Sequence, residues 1–233
     1  MKLNKLKVKE NVKKALEEDG YKSDLSLNSS KINKKHVAKA KLVTRQNGIL
    51  SGSFWFEQAF KIIDKNAEFN WKVLEGRNFK KNTEIVEIKA SIQAILSGER
   101  TALNFLQMMS GISSKAKAYS DYLKDTKIEL LDTRKTLPNL RYEQKYSTYI
   151  GGVKNHRFGL FDAIMLKDNH IKAFGGIKKI KNFKFLDKGD FLEIEIEKIS
   201  QILPALKCKP DILLLDNLNI KEIVGFNTKS NNL

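Results

Sequence analysis

Apolar residues in the first 95 or so positions follow two different spacings. Two segments repeat them at helical spacing, which predicts amphipathic helices: residues 5–18 and 53–63. Three other segments have the pattern of strands: residues 36–42, 68–74 and 84–90. In the first of these, Ala38, Ala40 and Leu42 alternate with lysines, and Asn47 with Gly48 supplies turn chemistry after it. We therefore expect an α+β unit of antiparallel strands with helices packed on one face.

The pattern changes after this unit. A long helical stretch is expected over about residues 91–124. Four short apolar runs follow, separated by helical or loop segments: Ile128–Leu131, Ala163–Leu166, Leu192–Ile196 and Ile212–Leu215. Continuous apolar runs suit strands that are covered on both faces, so the alternation predicts four parallel strands in β/α units.

Polar residues follow three of these runs directly. The first is followed by Asp132-Thr133-Arg134-Lys135, the second by Lys167-Asp168-Asn169-His170, and the fourth by Asp216-Asn217, while Glu193 and Glu195 share one face of the third. Helix caps and solvated turns would explain any one of these segments. Their repetition on successive strands favours a functional site, because the carboxyl ends of parallel strands meet at one edge.

Charge alone leaves two hypotheses open. The net charge of +16 would suit a nucleic-acid binder, but only six of the 43 basic residues are arginine, and lysine is spread along the whole chain. A basic field also attracts small polyanionic substrates. Four of the six arginines fall within one stretch, residues 100–157: Arg100, Arg134, Arg141 and Arg157. Arginine is the residue suited to planar, bidentate recognition of carboxylate or phosphate.

Other features of the composition exclude several classes of protein. The single cysteine, Cys208, rules out an intrachain disulfide and a cysteine-based zinc cluster. The chain has no apolar run of eighteen residues, and lysine and glutamate occupy the N-terminus where a signal peptide is apolar. We expect a cytoplasmic protein that does not insert into a membrane.

Several sequence blocks resemble quinolinate phosphoribosyltransferase, the carboxylating nicotinate-nucleotide pyrophosphorylase. They occur in order over about residues 98–217: Gly98-Glu99-Arg100-Thr101-Ala102, Ser110-Gly111-Ile112, Asp132-Thr133-Arg134-Lys135-Thr136, Leu140-Arg141, Gly151-Gly152, His156-Arg157, Met165-Leu166-Lys167-Asp168-Asn169-His170, Glu193-Ile194-Glu195 and Leu215-Asp216-Asn217. Each block alone is weak, but so many in order at compatible spacing are specific to that family.

The resemblance implies the type II phosphoribosyltransferase fold, with an N-terminal α/β sandwich domain over residues 1–97 and an incomplete β/α barrel carrying the active site over residues 98–233. It also implies a homodimer in which Arg100 reaches the neighbouring site. The implied reaction joins quinolinate to phosphoribosyl pyrophosphate and gives nicotinate mononucleotide, pyrophosphate and carbon dioxide, with Mg²⁺ bound to the pyrophosphate.

The same resemblance implies roles for individual residues. The quinolinate pocket matches four positions: Arg134, His156, Arg157 and Lys167. Thr133 and Lys135 resemble groups that meet quinolinate or the sugar diphosphate, and Lys135 joins Glu195 and Asp216 as a candidate catalytic residue. Carboxylates below the ribose would stabilise the positive charge that develops there and help to hold the metal. For His170 we favour packing or capping, and for Arg141 and Asn104 a structural role remains equally open.

The chain departs from the family pattern after Asn217, where the resemblance implies further β/α units with glycine loops for the 5'-phosphate. We expect a C-terminally shortened chain that keeps quinolinate binding and has lost tight binding of the sugar diphosphate. Two alternatives to the active transferase stay open. One is a catalytically impaired remnant that binds a pyridine dicarboxylate or a partner chain, and the other is a related transferase of the same fold.

Overall fold

The computed structural model describes residues 1–180 and 191–230. The chain folds into two compact units, Met1–His156 and Arg157–Leu233. Residues 181–190, which belong to the lysine-rich segment noted in the sequence, and residues 231–233 lie outside the described part.

The first unit contains five helices and five short strands over its described residues. In chain order they are α1 Lys5–Glu18, α2 Leu25–Asn28, β1 Val37–Val43, β2 Gly48–Ile49, α3 Ser53–Lys61, β3 Glu68–Trp71, β4 Asn78–Phe79, β5 Glu84–Ser91, α4 Ile92–Leu123 and α5 Arg141–Ile150. The expected helices and strands of residues 5–124 are all present, which confirms the α+β reading of this region. The small β2–β4 pair was not predicted, because two-residue strands carry no periodicity.

The first unit contains an antiparallel sheet in the order β1-β5-β3. Ala38, Ala40 and Leu42 of β1 are half-buried while the lysines between them are exposed, as the alternating pattern predicts. The central strand β5 is mostly buried. Its end continues directly into α4, and the Ser91 side chain caps that helix by accepting a hydrogen bond from the Ala94 N–H.

Helices α3, α4 and α5 contribute buried side chains to the core of the first unit. On α3, Trp55, Phe56 and Phe60 are almost fully buried, and Phe56 contacts the rings of Phe60 and Trp71. The 32-residue α4 buries small residues along one face, including Gly98 and Ala102. Gly98 allows close contact with α3 because it has no side chain. A Cβ atom at this position would lie only 3.3 Å from the Ala59 carbonyl oxygen.

The second unit is built on a three-stranded parallel sheet. Its elements are β6 Ile164–Leu166, α6 Asp168–Ala173, α7 Ile177–Ile180, β7 Leu192–Ile196, a 3₁₀ turn at Ile199–Gln201, α8 Ile202–Leu206, β8 Ile212–Leu215 and α9 Ile220–Ser230. The strand order is β6-β7-β8. Every residue of β7 is buried, and Ile194, Ile196 and Ile180 are at the centre of the apolar cluster of this unit. Parallel strands covered on both faces need such apolar runs.

The structure contradicts the prediction of one of the four parallel strands. Residues 128–131 do not form a strand, and Leu131 makes only an isolated parallel bridge to Lys154. Ile128 and Leu131 are 63% and 46% exposed, so this apolar run is not covered in the described part of the chain. Apolar composition shows that a segment can form a strand, but a strand also requires partners on its edges.

Candidate functional site

The Asp132 carboxylate is the centre of a hydrogen-bonded cluster in the C-terminal part of the first unit. It accepts hydrogen bonds from the Thr148 hydroxyl (3.0 Å), the Asn155 side-chain amide (2.6 Å) and the His156 backbone N–H (2.8 Å), and it pairs with the Lys145 ammonium. We call these residues, Asp132, Lys145, Thr148, Asn155 and His156, the Asp132 cluster. It holds the segment that precedes Thr133 against the segment that contains His156.

The loop after Asp132 carries three of the predicted site residues. Thr133 and Lys135 are exposed and Arg134 is half-buried. The Lys135 N–H donates to the Thr133 hydroxyl at 3.1 Å, and the Thr136 N–H donates to the Arg134 carbonyl at 3.0 Å, so the loop forms a tight turn. Two cationic side chains are thereby presented on successive residues.

Arg134 has an unusual environment. Its Nε atom is buried and has no hydrogen-bond partner among the described residues. Buried polar groups are paired in the great majority of cases, so an unpaired guanidinium N–H is a candidate donor to an anionic ligand.

A cavity of about 460 Å³ borders the same loop. It is lined by residues of α4, of the Leu130–Thr136 segment and of α5, including Thr133, Lys135, Tyr119, Lys145 and Thr148. The walls combine apolar groups with a few hydroxyls and ammonium groups. This is the composition expected of a small-molecule pocket.

In the second unit, Lys167 and Glu195 form an ion pair at the carboxyl ends of neighbouring strands. Leu166 pairs with Ile194 in the parallel register, which brings the residues that follow them side by side. The Lys167 ammonium lies 2.9 Å from Glu195 Oε2, and the Glu195 side chain is only 10% exposed. Neighbouring parallel strands therefore supply a cation and a largely buried carboxylate at the carboxyl end of the sheet.

Asp216 and Arg157 complete the predicted residues of the second unit. Asp216 follows β8, its N–H donates to the Ile196 carbonyl at 2.9 Å, and its carboxylate is partly accessible. Arg157 is half-buried, and its guanidinium lies 3.4 Å from the Ala163 carbonyl and 3.2 Å from the Met165 sulfur. Its positive charge also acts on the nearby Asp162 carboxylate and is among the causes that lower the pKa of Asp162.

The structure places the remaining residues as follows. Arg100 is exposed on α4, outside the Asp132 cluster. His170 accepts a hydrogen bond from the Lys167 N–H through Nδ1 at 3.1 Å and so caps α6, which confirms the capping role. Arg141 donates from Nε to the Thr136 hydroxyl at 3.2 Å, which ties the start of α5 to the loop.

The carboxylates of the second unit suit a metal that arrives with a phosphate ligand. Among the described residues, no group of three or more His, Cys, Asp or Glu side chains is arranged to hold a metal ion. Mg²⁺ is commonly held by one or two carboxylates together with substrate phosphates and water. Glu195 lies on β7, and Asp216 directly follows the adjacent strand β8.

Comparison with known proteins identifies the family. The profile described as "Quinolinate phosphoribosyl transferase, N-terminal domain" matches residues 24–110, and that described as "Quinolinate phosphoribosyl transferase, C-terminal domain" matches residues 112–231. The chain belongs to the quinolinate phosphoribosyl transferase family. This confirms the resemblance drawn from the sequence blocks.

Individual members of the family agree with this assignment. A probable carboxylating nicotinate-nucleotide pyrophosphorylase from Bacillus subtilis is 35% identical over 217 residues, which cover 92% of this chain and 74% of that protein. The Synechocystis protein of the same name is 34% identical to this chain. The match covers 78% of this chain and 63% of that protein, which is less than two thirds of the relative's length. A quinolinate phosphoribosyltransferase from Nicotiana glauca is matched over 54% of its length at 34% identity.

Solved structures of the family share the fold. NadC from Streptococcus pyogenes superposes with a TM-score of 0.90 at 36% identity, over 98% of this chain and 81% of that one. The nicotinate-nucleotide pyrophosphorylase from Francisella tularensis gives a TM-score of 0.89 at 33% identity, over 99% and 82%. The expected fold class, an α/β chain with an N-terminal α/β sandwich and an incomplete β/α barrel, is thereby confirmed. The domain boundary at residues 97 and 98 stays a prediction.

Sequence reasoning missed part of the Asp132 cluster. Lys145, Thr148 and Asn155 had no predicted role, although each of them contacts Asp132. Lys145 and Thr148 are three residues apart on α5 and so lie on one face, but only the fold shows what that face meets. A lysine at a position of an amphipathic helix that is otherwise buried was the one available signal.

No helix in residues 1–180 and 191–230 has the length and apolarity needed to span a bilayer.

Proposed function

We propose that the protein transfers the phosphoribosyl group of phosphoribosyl pyrophosphate to quinolinate and that carbon dioxide is lost from the product. The products are nicotinate mononucleotide, pyrophosphate and carbon dioxide. The observation that carries this proposal is family membership combined with the cations at the predicted positions, above all the Arg134 guanidinium with its unpaired, buried Nε. Relatives named for this reaction support it.

The cationic residues would bind quinolinate. Its two carboxylates lie on adjacent ring carbons, and a rigid dianion is held best by several charge-assisted hydrogen bonds at fixed angles. Because their sequence blocks match the family, we assign this role to Arg134, His156, Arg157 and Lys167. Thr133 and Lys135 would contact quinolinate or the sugar diphosphate.

The acidic residues would act on the sugar. The ring nitrogen forms a bond to the anomeric carbon while the bond from that carbon to pyrophosphate breaks, and positive charge develops on the ribose. The Glu195 and Asp216 carboxylates would stabilise this charge, which is a stronger interaction in the transition state than in the ground state. The ribosylated, cationic ring then accepts the electron pair released as the adjacent carboxylate leaves, and a proton replaces that carboxylate.

Magnesium is the expected metal. When bound with the sugar diphosphate it would neutralise charge on the pyrophosphate leaving group. Glu195 and Asp216 are the residues that would hold it.

A second copy of the chain is proposed to complete the site. Arg100 is exposed on α4 and lies outside the Asp132 cluster, so it is available to a neighbouring subunit in a homodimer. The cytoplasmic location expected from the sequence also stays a prediction.

The reaction is tested with the purified chain, quinolinate labelled at the departing carboxylate, phosphoribosyl pyrophosphate and Mg²⁺. We expect release of labelled carbon dioxide and pyrophosphate in equal amounts. Lys167→Met should raise the KM for quinolinate at least tenfold, since one charge-assisted interaction is worth about 1.5–3 kcal/mol. Lys172→Met is the matched control, because Lys172 is a 74%-exposed lysine paired with Asp168 on α6.

Calorimetric titration with quinolinate and with phosphoribosyl pyrophosphate, beside the carbon dioxide assay, separates the alternatives. Tight binding of phosphoribosyl pyrophosphate would contradict the expected loss of affinity for the sugar diphosphate. Quinolinate binding without release of carbon dioxide would favour the impaired remnant, and turnover with a different acidic substrate would favour a related transferase. A chain that binds no quinolinate would overturn the proposal.

A further inference from the structure

The Asp132–Lys145 ion pair is buried to a degree that is unusual for charged residues. The Lys145 side chain is 1% exposed and the Asp132 side chain 6% exposed. Removing two charges from water is costly, and apolar residues of similar volume often stabilise a protein as well or better. Stability alone therefore does not account for a charged pair at this position.

The contacts of the pair show what it holds in place. Asp132 Oδ1 accepts from Lys145 and from the His156 N–H, and Oδ2 accepts from Thr148 and Asn155. Both carboxylate oxygens are therefore fully engaged. Two of the four donors come from α5 and two from the segment that ends in His156.

Backbone hydrogen bonds join the same two segments. The Asp132 N–H donates to the Lys154 carbonyl and the Lys154 N–H donates to the Leu130 carbonyl, both at 3.0 Å. The Asp132 carboxylate adds one further hydrogen bond to this short backbone pairing, which it accepts from the His156 N–H. Thr133, Arg134 and Lys135 begin immediately after the fixed residue.

We propose that Asp132 and Lys145 are positioning residues for quinolinate binding, acting through the loop Thr133–Lys135 on one side and His156 on the other. This inference rests on the proposed function. Asp132 fixes both segments and the buried ammonium of Lys145 compensates its charge, so the ligand-binding groups are ordered before the substrate arrives. Such preorganisation matters because misplacement by about 1 Å can cost a hundredfold in rate.

Three variants separate positioning from stability: Asp132→Asn, Lys145→Met and the double variant. Each single variant leaves a buried charge without its partner and should unfold at a lower temperature. The double variant removes both charges and should recover most of the unfolding temperature. Its Kd for quinolinate, measured by calorimetry well below the unfolding transition, should remain at least about tenfold higher than that of the wild type.

The neighbouring Lys154–Glu129 pair supplies a matched control. Lys154 lies on the same backbone pairing, but the two side chains are 64% and 59% exposed. Lys154→Met should leave the Kd for quinolinate unchanged. Thr148→Val removes a hydroxyl shared between Asp132 Oδ2 at 3.0 Å and the Lys145 carbonyl at 2.9 Å, and it removes no charge. It should raise that Kd by about threefold.

The outcomes are distinct. A double variant with wild-type affinity, or unchanged affinity in Thr148→Val should the double variant not fold, would show that the pair serves stability alone and would overturn the inference. Failure of the wild-type chain to bind quinolinate would overturn the proposed function and this inference with it.

Discussion

At the scale of single residues, unusual hydrogen bonding marks functional positions better than residue type does. Many lysines in this chain are exposed on its surface, whereas Lys145 is buried and Lys167 contacts a largely buried carboxylate. The sequence singled out Lys167 because it follows an apolar run within a recognised block. The only sequence signal for Lys145 is its position on the otherwise buried face of an amphipathic helix, and its burial against Asp132 is what distinguishes it in the structure.

Asp64 shows how one carboxylate can make stability depend on pH. Hydrogen bonds from the backbone N–H of Ser91 and, more weakly, of Asn66 lower the pKa of Asp64, against the opposing effect of burial. A lowered folded-state pKa means that the carboxylate stabilises the fold above the unfolded value of about 3.9. That contribution is lost as the pH falls through the folded-state pKa.

We therefore expect the free energy of unfolding to fall as the pH is lowered from about 5 through the folded-state pKa of Asp64, and to fall less steeply in Asp64→Asn. Urea unfolding at a series of pH values measures both slopes. Asp125→Asn, at an exposed aspartate, should keep the wild-type slope. Equal slopes in wild type and Asp64→Asn would contradict the assignment.

At the scale of elements, the packing of α4 on α5 depends on a glycine. Gly151 caps the end of α5, and a Cβ atom built there would lie 2.5 Å from both the Ala116 Cβ and the Ser113 carbonyl oxygen. The same contact region carries a hydrogen bond from the Ser113 hydroxyl to the Ser147 carbonyl at 2.7 Å. A side chain at Gly151 would force the two helices apart.

Gly151→Ala should destabilise the first unit by about 2 kcal/mol through overpacking. Gly111→Ala is the matched control, because Gly111 is exposed on α4 and a Cβ atom there meets nothing within 4 Å. That change should stabilise the unit by about 0.5–1 kcal/mol through helix propensity. Both tryptophans, Trp55 and Trp71, lie in this unit, so fluorescence during urea unfolding reports on it. The idea fails if the two variants shift the midpoint in the same direction.

At the scale of the whole molecule, the net charge of +16 affects how anionic ligands reach the protein. A positive field raises the local concentration of small anions and accelerates their association. Screening shortens the reach of this field from about 30 Å at 0.01 M ionic strength to about 8 Å at 0.15 M. Both proposed substrates are polyanions.

The Kd for quinolinate should therefore rise severalfold between these two ionic strengths, as measured by calorimetry. The neutral diamide of the same ring serves as the control ligand, and its weaker binding should not change with salt. Constant affinity for quinolinate over this range would contradict the prediction. Parallel titration with a DNA duplex tests the nucleic-acid hypothesis, which requires a much steeper dependence on salt.

Local patterns in the sequence determined most of the elements. Helix α4 and strand β5 were predictable because periodic apolar positions and the Ser91 cap act over a few residues. The ordered blocks that follow, from Arg100 to Asp216, determined the family. The positions of Arg134, Lys167 and Glu195 at the ends of apolar runs were equally visible in the chain.

Only the tertiary structure decided which segments pair and which charges are buried. The run at residues 128–131 was expected to be a strand, yet it makes a single bridge, because strand formation depends on partners distant in sequence. The Asp132 cluster joins residues 13 to 24 positions apart, and the Lys167–Glu195 pair joins residues 28 apart. Burial of a charge is a property of the surroundings that the fold builds, so no local pattern announces it.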